Sequence, residues 1–401
     1  MQIKKEVILS LAKNHHIDTF LGVRMLGIIS SFDGGNIEVV KADDPSDIQL
    51  KIRSDTNADF FQWFYFRVVG VRGSQCTIKI LNAGGASFTR GWEDYRAVAS
   101  EDQKYWERVE TEYRSGVLEI KHTPNSDSVC FAYFVPYSLN RHSDLIARCQ
   151  ASEGVRLSIP GFTAQKRPIE VLTFGNEGEE KPALWVIARQ HPGETMAEWF
   201  MEGLLDRFRN QQDGAVRSLI QRAVLYAVPN MNPDGSALGN LRVNSQGTNL
   251  NREWENPSVE KSPEVFYVRN MMIESKIRFC LDVHGDEGLP FNFIAGFEGI
   301  AEASDHQLGV MNKFRNTLAQ LNPDFQLENG YPKVAKGKGM KTTSTGYLAA
   351  FHGAVSMTLE MPFKDAANAP DKNFGWSPER SMALGRSSVE AILSILDEIQ
   401  N

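Results

Sequence analysis

"ALWVIARQHPGETMAEWFMEGLLDRF", residues 183–208, decides the fold. Its first six residues are apolar without alternation, the pattern of a strand buried on both faces. A polar turn with Pro192 and Gly193 follows. Met196, Trp199, Phe200 and Leu204 then recur at helical spacing. The same texture returns in "AVLYAV" (223–228), "RFCLDV" (278–283) and "AVSMTLE" (354–360), alternating with helical segments. In the last segment, "SPERSMALGRSSVEAILSILDEI" (377–399), Ser377 is an N-cap and Pro378 the first helical residue. Val389, Ile392, Leu393, Leu396 and Ile399 form one apolar stripe. Buried strands alternating with helices indicate an α/β domain, expected over residues 126–401.

Upstream the texture differs. "NIEVV", "IQLKI", "QWFYFRVVGV", "QCTIKIL" and "VLEIKH" are short β-branched and aromatic runs, separated by turn clusters such as "DGG", "NAGG" and "TPNSD". They predict an all-β antiparallel sandwich over residues 1–125, with the aromatics of residues 53–68 in its core. The chain has 401 residues, 42% of them hydrophobic, enough for two ordinary cores. A net charge of -7 disfavours nonspecific nucleic-acid binding. No apolar run approaches the roughly 18 residues of a membrane span. "MQIKKEVILSLAKNHH" at the N-terminus lacks a small-residue cleavage site, and His15 and His16 end its apolar patch early. Cys76, Cys130, Cys149 and Cys280 are scattered without a CxxC pair, so reduced, buried thiols in the cytoplasm are expected.

In open α/β sheets, ligands bind beyond the carboxyl ends of the strands. His191 lies just past "ALWVIA" and His284 just past "RFCLDV". With Glu194 they make a His₂Glu set, a ligand combination suited to catalytic zinc. A structural reading stays open, in which Glu194 favours a helix N-terminus and the imidazoles are hydrogen-bonded. Arg242, Asn251 and Arg252 stand in the polar loop after "AVLYAV", and an arginine fork grips a carboxylate in bidentate fashion. Glu360 sits inside the apolar "SMTLEMP" and needs a partner or a function.

Together, "HPGE", "PNMNPDG", "GTNLNREW", "DVHGDE" and "TLEMPF", in this order, resemble the zinc metallocarboxypeptidases of the M14 type. "NADFFQWFYFRV" and "CFAYFVPYSLNRHSDLI" resemble the cytosolic carboxypeptidase subgroup, which carries a β-sandwich before its catalytic domain. The resemblance implies a mixed sheet flanked by helices and one zinc ion held by His191, Glu194 and His284. It implies Arg242 at the oxyanion, Asn251 and Arg252 at the substrate's terminal carboxylate, and Glu360 as general acid/base. The expected substrate is a peptide or protein C-terminal tail. A deacylase of small acylated amino acids and a zinc-free peptide-binding relative are the alternatives. Either Tyr331 or Tyr347 is the family's mobile active-site tyrosine. Tyr347 also stands where glutamate-tail enzymes carry a substrate-binding arginine, so no absolute requirement for a C-terminal glutamate is expected. Lys333, Lys336, Lys338 and Lys341 either attract an acidic peptide or belong to a solvated loop.

Overall fold

The computed structural model describes residues 25–176, 178 and 181–399. The N-terminal stretch on which the reading of no leader rests lies outside them. Two five-stranded sheets come first. One has the order β1 (Gly27–Ile29), β4 (Tyr65–Val69), β10 (Ser128–Ala132), β6 (Val98–Ser100), β7 (Glu107–Arg108). The other runs β2 (Glu38–Lys41), β3 (Ile48–Lys51), β5 (Cys76–Ile80), β9 (Val117–His122), β8 (Glu110–Arg114). Ladders are antiparallel except β3 with β5. Between those two, the chain crosses to the first sheet to lay down β4 and returns in its original direction, which makes that pair parallel.

The strand β10 lies beyond the boundary expected at residue 125, yet it is central to the first sheet, paired with β4 and β6. We therefore place the boundary after it. Its five residues are almost wholly buried, so they read like the catalytic strands and conceal the transition.

The second unit is a seven-stranded mixed sheet in the order β11 (Val155–Phe162), β12 (Pro168–Phe174), β14 (Val224–Val228), β13 (Ala183–Ala188), β15 (Ile277–Asp286), β17 (Val355–Pro362), β16 (Phe293–Ala295). The four strands expected from apolar texture form its parallel centre. Helices cover both faces. On one lie α2 (Thr195–Phe208), α6 (Asp305–Leu321) and α8 (Pro378–Ile399), against the even-numbered residues of β13. On the other lie α5 (Pro263–Glu274) and Leu348 of α7 (Ser344–His352), against the odd-numbered ones. The remaining α-helices among the described residues are α1 (Leu139–Gln150), α3 (Gly214–Arg222) and the short α4 (Pro233–Leu238). Helices α2 and α8 cross closely because glycines meet there. A Cβ on Gly203 would lie 2.1 Å from the carbonyl oxygen of Met382, and one on Gly385 2.1 Å from that of Phe200.

From β13 the chain proceeds outward to β14, then returns to place β15 on the other side. The carboxyl end of β13 is thus the topological switch point, where open α/β sheets leave a crevice. His191 lies three residues beyond it.

Candidate active site

Turn residues 189–194 bring His191 and Glu194 over the sheet, and His284 rises from the adjacent β15. His191 Nδ1 lies 2.7 Å from Glu194 Oε1, and His284 Nδ1 lies 2.8 Å from Oε2. The two Nδ1 atoms are 3.2 Å apart. Glu194 occupies the N-cap position of α2 but makes no capping bond. Its carboxylate is committed to the imidazoles.

The outer nitrogens are held as well. His191 Nε2 donates to Asn249 Oδ1 at 3.0 Å, and that oxygen also accepts from the Asn251 amide. His284 Nε2 faces Asp282 Oδ2 at 3.0 Å. Asp282 is anchored in turn by Gln190 Nε2 at 2.6 Å and by the Ser344 hydroxyl. Acceptors on both Nε2 atoms favour the tautomers whose Nδ1 lone pairs converge on one point, where a cation would relieve their repulsion. Burial pushes His191 down to about 4, with Arg242 and His284 adding and Glu194 opposing. Burial disfavours charge on His284 too, but Asp282 and Glu194 outweigh it and draw positive charge onto that side. Among the described residues, His191, Glu194 and His284 form a buried group whose ligand atoms all lie within 4.8 Å of one another. The donor set fits a zinc ion.

Glu360 follows from sheet register. It pairs with His284 across β15 and β17, so the two side chains share a face at the strand ends. Its Oε1 accepts from the Tyr331 hydroxyl at 3.2 Å, and the same hydroxyl lies 2.6 Å from Asp286 Oδ2. Its buried Oε2 has no hydrogen-bond partner among the described residues. Burial raises the Glu360 carboxyl well above its ordinary range; His284 opposes this, while Glu194, Asp286 and Glu287 add to it.

These groups share a cleft of about 1150 Å³ with Arg242, Asn251, Arg252 and Tyr331. Asn251 Oδ1 accepts from the Ser344 amide at 3.0 Å, and its NH₂ lies 3.4 Å from His284 Nε2. Arg252 Nη1 donates to the Asn251 carbonyl at 2.6 Å, and burial, then Arg242, lowers its pKa. The Arg242 guanidinium lies 5.7 Å from the Phe60 ring centroid and 5.4 Å from that of Phe88, both in the sandwich. Residues 87–91 of the sandwich form one wall of the cleft.

Tyr347 is not brought to the cleft. Thr345 and Gly346 line it, but the next residue of α7 is rotated about 100° onward. Its ring packs on Phe351 at 5.1 Å and lies 5.2 Å from the Arg269 guanidinium. Tyr347, expected to bind substrate, thus stands outside the residues that line the cleft. Of the lysines, Lys333 lines the cleft, whereas Lys336 donates to the Ala303 carbonyl at 3.3 Å and Lys341 pairs with Glu302. Sequence reasoning missed Arg315 and Glu298, which line the cleft 3.7 Å apart, because neither helix α6, which carries Arg315, nor the turn after β16, which carries Glu298, holds a motif. It also missed Asn249 and Asp282. Both lie inside quoted motifs, and Asp282 is recognisable by standing two residues before His284 on the same strand face.

Residues 145–374 match the model of the zinc carboxypeptidase family, and residues 28–134 that of the cytosolic carboxypeptidase N-terminal domain. The chain belongs to the zinc carboxypeptidase family. It is therefore a peptidase, and the fold expected from its motifs is the one observed. An uncharacterised protein of Zymomonas mobilis is 47% identical over 93% of this chain and 97% of its own length. Mouse cytosolic carboxypeptidase 6 is 27% identical over 90% of this chain and 72% of its own length. Among solved structures, a Pseudomonas aeruginosa metallo-carboxypeptidase in complex with (2-guanidinoethylmercapto)succinic acid is 40% identical. Its TM-score is 0.90, over 93% of this chain and 100% of that one. No helix among the described residues of this peptidase is long and apolar enough to cross a membrane.

Proposed function

We propose that the peptidase is a zinc-dependent carboxypeptidase that hydrolyses the last peptide bond of peptides or protein tails. The observation that carries this reading is one cleft holding three convergent metal-type ligands, an unpartnered carboxylate oxygen and an arginine–asparagine pair. His191, Glu194 and His284 would hold the ion. When bound, zinc polarises the scissile carbonyl and lowers the pKa of water to about 7.

The chain's own groups do the rest. Arg252 and the Asn251 NH₂ hold the terminal carboxylate, which sets the last peptide bond over the ligand group. Glu360 Oε2 takes a proton from the attacking water and returns it to the leaving amine nitrogen. Its raised proton affinity suits a group that must do both. The Arg242 guanidinium stabilises the negative charge that develops on the carbonyl oxygen. Tyr331, with its hydroxyl between Asp286 and Glu360, is the tyrosine able to meet the substrate. The Pseudomonas relative holds a succinic-acid compound. Its carboxylates are the chemistry this arginine–asparagine pair would grip. Buried free cysteines and the cytosolic name of the mouse relative support a cytoplasmic location.

The test compares zinc-loaded protein on one peptide as its free acid and its C-terminal amide. Cleavage of the free acid alone is expected. Arg252→Ala should weaken it by about 2–5 kcal/mol, the usual cost of truncating one partner of a desolvated charge pair. Equal cleavage of both peptides overturns the reading.

A further inference from the structure

We propose that Asp55, a residue of the N-terminal sandwich, is a positioning residue for Arg242; this rests on the oxyanion role given to Arg242 above. Three consecutive backbone amides of the catalytic unit converge on its carboxylate. Leu241 N donates to Oδ1 at 2.6 Å, Arg242 N to Oδ2 at 2.7 Å and Val243 N to Oδ2 at 3.1 Å. Asp55 is buried and does not line the cleft. Its effect on chemistry has to pass through the loop it grips.

Burying a carboxylate costs several kcal/mol unless hydrogen bonds return it. Successive N–H groups closing on an anion are a structure that does so. The consequence is geometric. The three amides belong to Arg242 and its two neighbours, so fixing them fixes the direction in which the Arg242 side chain leaves the backbone. The guanidinium then stands over Phe60 and Phe88, also from the sandwich. On its other side the loop touches the metal-ligand turn, because Gly193 N donates to the Leu241 carbonyl at 2.9 Å. The arginine's backbone is thus clasped between the ligand turn and Asp55. An asparagine cannot substitute, since its single oxygen would leave an NH₂ facing an N–H.

The competing role is adhesive, with Asp55 merely joining the two units. Thr56 provides that comparison. Its amide and hydroxyl bond Asn240 Oδ1 at 3.0 and 3.1 Å and touch none of the three amides. The experiment is a double-mutant cycle on the full-length, zinc-loaded peptidase. It measures kcat, KM and bound zinc for wild type, Asp55→Asn, Arg242→Ala, the double variant and Thr56→Val. Removing an oxyanion donor costs about 100- to 1000-fold in kcat, so Arg242→Ala sets the ceiling. Asp55→Asn is expected to lower kcat by about tenfold or more, with KM changed less than about threefold and zinc retained. In the Arg242→Ala background it should change kcat by less than about twofold, because residues acting through one group are not additive. Thr56→Val should leave kcat unchanged. If Asp55→Asn does not fold, Asp55→Glu, which keeps both carboxylate oxygens but displaces them from the three amides, takes its place in the same cycle with the same expectation. Losses that multiply in the double variant, or an Asp55→Asn effect confined to KM, overturn the positioning role and leave the functional reading standing. A zinc-loaded wild type that cleaves no free-acid peptide overturns both.

Discussion

At the residue scale, His191, Glu194, His284 and Glu360 make the sharpest demands. Removing one imidazole leaves a two-ligand site whose Asn249 and Asp282 contacts no longer converge on a complete donor set. His191→Ala is expected to lose most bound zinc by elemental analysis while keeping its far-ultraviolet circular dichroism, because the sheet core does not depend on the ion. Full occupancy in that variant would remove His191 from the ligand set. Glu360→Gln preserves shape but cannot accept a proton at Oε2. A loss of about 100-fold or more in kcat is expected at unchanged zinc content. Near-normal turnover would make Glu360 a structural residue.

At the element scale, a buried charge network joins α1, α2 and the turn after β13. His142 of α1 places Nδ1 2.5 Å from Glu198 Oε1 on α2 and Nε2 2.8 Å from Glu170 Oε2 on β12. Glu198 Oε2 accepts from Arg189 Nη1 at 2.7 Å, and Arg189 Nε donates to the Pro192 carbonyl at 2.9 Å. Arg189 has φ 59°, an uncommon left-handed conformation that these bonds hold two residues before His191. Burial disfavours the His142 imidazolium, but Glu198 and Glu170 outweigh it and lift the group to about 9. With a folded pKa above the ordinary 6.5, the stabilisation is fully present below pH 6.5 and lost as pH rises through about 9. Its ceiling is on the order of 3 kcal/mol. Denaturant titrations at pH 6 and pH 10 should therefore show the gap between wild type and His142→Asn narrowing with rising pH. A constant gap would mean that His142 is neutral in the folded protein.

At the scale of the whole molecule, the two units are expected to unfold as one. One apolar cluster runs from the sandwich strands through α2 and α8 to the central sheet. Tyr133 stacks on Phe363 with centroids 4.6 Å apart, and Asn36 of the sandwich donates to the Gly239 carbonyl at 2.9 Å. Calorimetry of the intact chain should give a single transition whose van't Hoff and calorimetric enthalpies agree. Two resolved transitions would show that the sandwich is an independent appendage.

What the amino-acid order determined by itself is local. Unalternating apolar runs identified the parallel strands β13, β14, β15 and β17, because burial on both faces leaves no room for a polar period. The switch from strand to helix near residue 190 put His191 at a strand end, and a charged Glu360 inside an apolar run was visible for the same reason. The ordered motifs then named the family. Tertiary structure alone decided the rest. Tyr331, not Tyr347, reaches the cleft because the phase of α7 turns the latter towards Arg269. Strand β10 joins the first sheet because its partners β4 and β6 are distant in sequence. Asp55 and Arg242 are 187 residues apart. Such a contact exists only once two units have packed, and no local pattern of charge or hydrophobicity encodes it.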